Sequence, residues 1–66
     1  MSSNASILLK YLEEQVIEHG PGYFTPDEDL AKEVGLSLED LKRAINELKK
    51  DYHIKGVTLE GAFELV

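Results

Sequence analysis

Between Ala5 and Val16 apolar residues return every three or four positions, at Ala5, Leu8, Leu9, Leu12 and Val16, while Lys10, Glu13, Glu14 and Glu18 take the positions between and just beyond. That spacing sorts the two groups onto opposite sides of an α-helix. Ser3 or Asn4 can accept hydrogen bonds from the free amides of its first turn. Ile7, Tyr11 and Ile17 widen its apolar face. Gly20-Pro21-Gly22 ends it, because glycine tolerates a left-handed cap and proline cannot continue the ladder.

A second helix is predicted from Thr25-Pro26-Asp27-Glu28 to Val34. Thr25 is the expected cap, Pro26 suits the first helical position, and Glu28 can close a capping box. Leu30, Ala31 and Val34 form its inner side, and Gly35 breaks it. A third helix follows Ser37, a further N-cap, over Leu38 to Asp51. Leu38, Leu41, Ile45, Leu48 and Tyr52 alternate steps of three and four, the strongest amphipathic pattern in the chain.

From His53 onward the helical period is lost and strand formers dominate. Two readings are open. One is a hairpin of Ile54–Leu59 and Ala62–Val66 turning at Glu60-Gly61. The other is a last short helix capped by Thr58, with Gly61 inside it at a cost of about 1 kcal/mol. Tyr23-Phe24 is long enough only for a strand fragment.

Two helices joined by a short turn cross steeply when the residue at the crossing is small and the turn can take unusual backbone angles. Ala31 and Gly35, four apart, supply both, and Leu30, Val34, Leu36, Leu41 and Ala44 or Ile45 fill the interior positions. Over these residues the chain resembles the winged helix-turn-helix family. With the first helix, the Tyr23-Phe24 fragment and the C-terminal hairpin, the whole of residues 1–66 is similar in plan to the biotin-repressor N-terminal domain. Lys49 to Val57 also looks like small phage-associated winged-helix proteins of the YjcQ type. The resemblance implies one mainly α domain of three helices with a two- or three-stranded wing sheet. It further implies a compact transcriptional regulator whose third helix enters the major groove of double-stranded DNA.

Charge complicates that expectation. The chain has 13 acidic and 7 basic residues, a formal charge of −6. Residues 1–20 carry one base and three acids, 21–36 one and four, 37–51 four and four, and 52–66 one and two. Four of the seven bases thus lie on the third helix, and phosphates respond to the face that approaches them rather than to the net charge. Ser37, Glu39, Lys42, Arg43 and Asn46 are the candidates for base edges, with Lys49 and Lys50 near the backbone. Arginine pairs in bidentate fashion with guanine, asparagine with adenine, and glutamate accepts from the cytosine amino group.

Against this, Glu39 and Arg43 stand four apart and Glu47 and Lys50 three apart, so ion pairs along a solvated helix can cancel the charge. The wing tip, Leu59-Glu60-Gly61-Ala62, has no base, and the second helix opens on Asp27, Glu28 and Asp29. Those acids favour a helix N-terminus, yet they repel phosphates within a Debye length of about 8 Å. A homodimer would double the contacts and use the broad face of the first helix. The alternative function is an acidic module that meets a basic protein partner without touching DNA.

Other chemistry finds little support. His19 and His53 are the only histidines and there is no cysteine, so neither a zinc site nor a disulfide framework is expected. No carboxylate stands with a nucleophile in a recognisable arrangement, and the five glycines form no phosphate-cradling run. We therefore expect no enzyme, no cofactor and no metal. Without a membrane-length apolar run or a signal sequence, a cytoplasmic protein is expected.

Overall fold

The computed structural model describes residues 1–66 as three helices and a hairpin: α1 Ser3–His19, α2 Glu28–Val34, α3 Leu38–Lys50, β1 Ile54–Gly56 and β2 Phe63–Leu65. The fold is mainly helical with a small antiparallel sheet, as the apolar periodicity requires. Its core draws on every element: Ala5, Leu8 and Leu12 from α1, Leu30 and Ala31 from α2, Leu41, Ala44, Ile45 and Leu48 from α3, Ile54 from β1 and Phe63 from β2. Both Ala44 and Ile45 are interior. Leu9, Tyr11, Phe24, Val34, Leu38 and Leu65 close over this cluster, half-buried.

The N-cap of α1 stands one residue before the first of the two expected. Ser2 is the N-cap, its hydroxyl accepting from the Ala5 amide at 3.1 Å. The choice falls on Ser2 because its own amide donates to Glu47 Oε2 of α3 at 2.6 Å. In a capping box the third helical residue supplies the carboxylate that reaches back to the cap amide. Here that residue is Ala5, and Glu47 from another helix takes the role.

α2 also differs from expectation. Asp27, not Thr25, is the cap, and it accepts from the Leu30 amide at 2.9 Å. Aspartate is the stronger capping residue, and Pro26 sits before the helix instead of inside it. α3 begins where expected, with Ser37 accepting from the Asp40 amide at 3.1 Å, but it stops at Lys50.

α2 and α3 end in the same motif. After α2, Gly35 (φ 78°) donates to Lys32 O and Leu36 donates to Ala31 O. After α3, Tyr52 (φ 61°) donates to Lys49 O and His53 donates to Leu48 O. Both are Schellman motifs with a left-handed residue just past the end, and at Tyr52 that residue is not glycine. The reversal turns the tyrosine ring outward, where it is 83% exposed. Tyr52 therefore does not continue the apolar arc of α3.

The tail is a hairpin, which rules out the short C-terminal helix. Its strands pair as Ile54↔Leu65, Lys55↔Glu64 and Gly56↔Phe63. Thr58 caps the turn rather than a helix. Its carbonyl accepts from Gly61 and its hydroxyl from Ala62, and Gly61 takes φ 97°. Phe24 adds a single antiparallel bridge to Phe63 and stacks on its ring with centroids 5.8 Å apart. The sheet is thus two-stranded, with the Tyr23-Phe24 fragment supplying one rung of a third strand.

Candidate nucleic-acid interface

α3 packs its Leu41, Ala44, Ile45 and Leu48 inward, which fixes what faces solvent. At about 100° per residue, Lys49, Lys42, Asn46, Glu39, Lys50 and Arg43 follow one another round one continuous arc. Lys42, Arg43, Asn46, Glu39 and Lys50 are exposed and Lys49 is half-buried. The arc carries four cations and one carboxylate. Glu47 and Asp40 lie at its far margin.

The ion pairs expected to cancel these charges are not the ones formed. Arg43 Nη1 lies 3.8 Å from Asp40 Oδ1, across the margin, and leaves Glu39 unpaired. Glu47 is held by the Ser2 amide rather than by Lys50. That hydrogen bond is the main reason the Glu47 carboxyl sits below the usual glutamate range, with the N-terminal charge adding to it. Lys42, Lys49 and Lys50 have no acidic partner within 4 Å.

The hairpin runs back alongside α3. Lys49 Nζ lies against Gly56, 3.9 Å from where a Cβ would stand. Nearer the wing turn, Pro26, Lys42, Ile45, Asn46, Lys49 and Gly61 line an open hollow of about 210 Å³. Four of these residues come from α3, and Pro26 and Gly61 bring the segment before α2 and the wing turn to it. Gly61 brings the turn against Pro26, with a Cβ position 3.4 Å from Pro26 Cγ, an ordinary contact; the φ of 97° is what favours glycine there. Neither Pro26 nor Gly61 was among the residues expected at the site, because nothing local in sequence signals their meeting.

Ser37 lies at the edge of this surface with its oxygen committed to the Asp40 amide. The acids of α2, Asp27, Glu28 and Asp29, are exposed, and Asp27 is occupied in capping. Leu59 at the wing tip is fully exposed beside Glu60. Tyr11, between α1 and α2, has its hydroxyl pushed above its ordinary value by burial first and then by Glu33 and Glu18. It belongs to the packing and not to this surface. His19 pairs only with the adjacent Glu18, at 3.7 Å. No helix is long and apolar enough to cross a membrane.

Compared with known proteins, the chain matches no family model, no curated sequence and no solved structure.

Proposed function

We propose that this chain is a small DNA-binding regulator of the winged-helix kind, presenting α3 to the major groove of double-stranded DNA. The observation that carries the reading is the exposed arc of α3. It concentrates four of the chain's seven bases on one surface, beside a wing turn that reaches the level of Lys42 and Asn46. Lys42, Arg43, Lys49 and Lys50 meet phosphates, and Glu39, Arg43 and Asn46 have the donor and acceptor sets for base edges.

The test is an NMR titration of the labelled protein with mixed-sequence duplex DNA, which needs no known target. Amide shifts are expected from Ser37 through Lys50 and in the wing turn. If the four cations each neutralise a phosphate, log K falls with a slope of about −3.6 against log salt, a loss of roughly 100-fold between 50 and 200 mM. The double variant Lys42→Glu/Arg43→Glu should abolish the shifts. A flat response at low salt overturns the reading and moves the search to a basic protein partner on the acidic faces of α1 and α2.

A further inference from the structure

β2 has two edges, and the alternation of an antiparallel ladder decides what each presents. Toward β1, Val57 donates to Ala62 O and Val66 to His53 O, so Lys55 and Glu64 form the hydrogen-bonded pair between them. Phe63 and Leu65 therefore point their N–H and C=O groups the other way. Phe63 spends both on Phe24, at 2.8 and 2.9 Å. Two residues further along the same edge, Leu65 has no such partner. A regular third strand would place Gly22 there, but Gly20-Pro21-Gly22 turns away into the end of α1.

What lies in that place is an open hollow of about 270 Å³, lined by Val16, Pro21, Gly22, Glu64, Leu65 and Val66. Val66 is 77% exposed, and so are Ile17 and Tyr23, the sequence neighbours of the lining residues, at 82% and 69%. An unpaired strand edge with an apolar recess beside it is the form that takes an added extended segment. β1 offers no equivalent, since it packs beside α3 with the Lys49 ammonium against Gly56.

The charge around the recess selects the occupant. The one acid lining the hollow, Glu64, pairs with Lys55 at 3.4 Å, while Glu13, one turn before Val16, has no ion-pair partner, and no lysine or arginine lines the hollow itself. A second copy of the chain would be a partner of the same net charge, −6 over its whole surface, whereas a basic segment opposes it. We infer that the Leu65–Val66 edge of β2 is a docking site for an extended segment of a partner protein, seating an apolar side chain in the hollow with lysine or arginine flanking it. The edge lies on the strand remote from α3, so docking leaves the α3 arc free and does not depend on the DNA reading.

The probe is a capped hexapeptide of alternating lysine and valine, added to the full labelled chain. The Leu65 amide, open in the free protein, should exchange at least about tenfold more slowly once bonded. Shifts should centre on Val16, Gly22, Leu65 and Val66. Val66→Asp alters only an exposed side chain, so it should keep the fold and weaken the response several-fold. A hexapeptide of alternating lysine and proline has the charge, but its prolines fix φ at about −65° and disfavour a regular strand, so it should protect Leu65 far less. The proposal is overturned if Leu65 stays unprotected, if the proline peptide acts equally, or if Leu65 becomes protected in concentrated protein alone, which would make a second copy the occupant.

Discussion

Replacing Tyr52 by glycine tests whether the end of α3 stores backbone strain. At φ 61° Tyr52 holds a left-handed conformation that costs an L-residue with a Cβ roughly 1–2 kcal/mol. Glycine removes that cost but loses about 0.5–1 kcal/mol more to chain entropy on folding. The ring is 83% exposed, so losing it forfeits little burial, on the order of 0.3 kcal/mol. The balance is a gain of roughly 0.5 kcal/mol, or about 2–4 °C in Tm for a domain of this size. Alanine makes the sharper comparison. Tyr52→Ala loses the same ring, keeps the strain, and should be slightly less stable than the parent.

The decisive quantity is the order of the two variants in thermal and urea unfolding, followed by circular dichroism. Strain at the Schellman position places Tyr52→Gly about 0.7 kcal/mol above Tyr52→Ala, from the same strain and entropy figures. Gly35 supplies an internal control, because it occupies the equivalent position after α2 with φ 78° and open space around it. Gly35→Ala should lose what the step from alanine to glycine at position 52 returns. If glycine at 52 proves equal to alanine or worse, while Gly35→Ala behaves as stated, the strain argument for Tyr52 is wrong.

Three further outcomes follow from the packing and caps. Ser37→Ala removes the bond to the Asp40 amide and should cost about 1 kcal/mol, with Ser37→Asp retaining most of it, both read from urea midpoints. Glu47 has a folded-state pKa below the ordinary 4.5, so its contribution is present above that value and lost as pH falls through the depressed one. Glu47→Gln should therefore lower the neutral plateau and flatten the acid limb, the two profiles meeting at low pH; an unchanged slope would show that the Ser2 contact does not persist in solution. Leu48 is fully buried in α3, and Leu48→Ala should cost about 2–5 kcal/mol. A chain this small has roughly 3–10 kcal/mol in all, so the variant should show a sharply lowered or lost cooperative melt.

Local chemistry made some of these features legible in the sequence. α3 was readable because its apolar period is long and uninterrupted, and Ser37 because a good cap stands directly before it. Gly35 and the hairpin followed from residues that tolerate few other conformations. The misreadings have two kinds of cause, contacts with distant residues and local chain geometry. Ser2 was chosen as the cap by Glu47, 45 positions away. Pro26 faces the wing turn at Gly61, and helix initiation passes to Asp27. Tyr52 fits the period of α3 by number, but the chain has already reversed there. The same holds for the candidate surface: periodicity gives the arc of Lys42, Asn46, Lys49 and their neighbours, whereas the hollow they share with Pro26 and Gly61 exists only in the fold. Arg43 could reach Glu39 or Asp40 by spacing alone, and side-chain direction settles on Asp40.

The acidity of the chain also divides by cause, and the division governs how its surfaces can be tested. Asp27 caps α2, Glu28 and Asp29 occupy its first turn, and Glu39 and Asp40 occupy the first turn of α3. Five of the 13 acids thus sit where the helix dipole stabilises them. Their presence has a sufficient explanation in folding, so they say little about what the protein binds. Reversing them would weaken helix starts and repulsion together, and a lost function could not be assigned to either. Glu13, Glu14, Glu18 and Glu33 have no capping role. Neutralising those four to glutamine separates the two causes: tighter DNA binding with an unchanged melt would mean that general repulsion limits α3. Lost activity with unchanged DNA binding would instead locate a protein partner on the outer faces of α1 and α2.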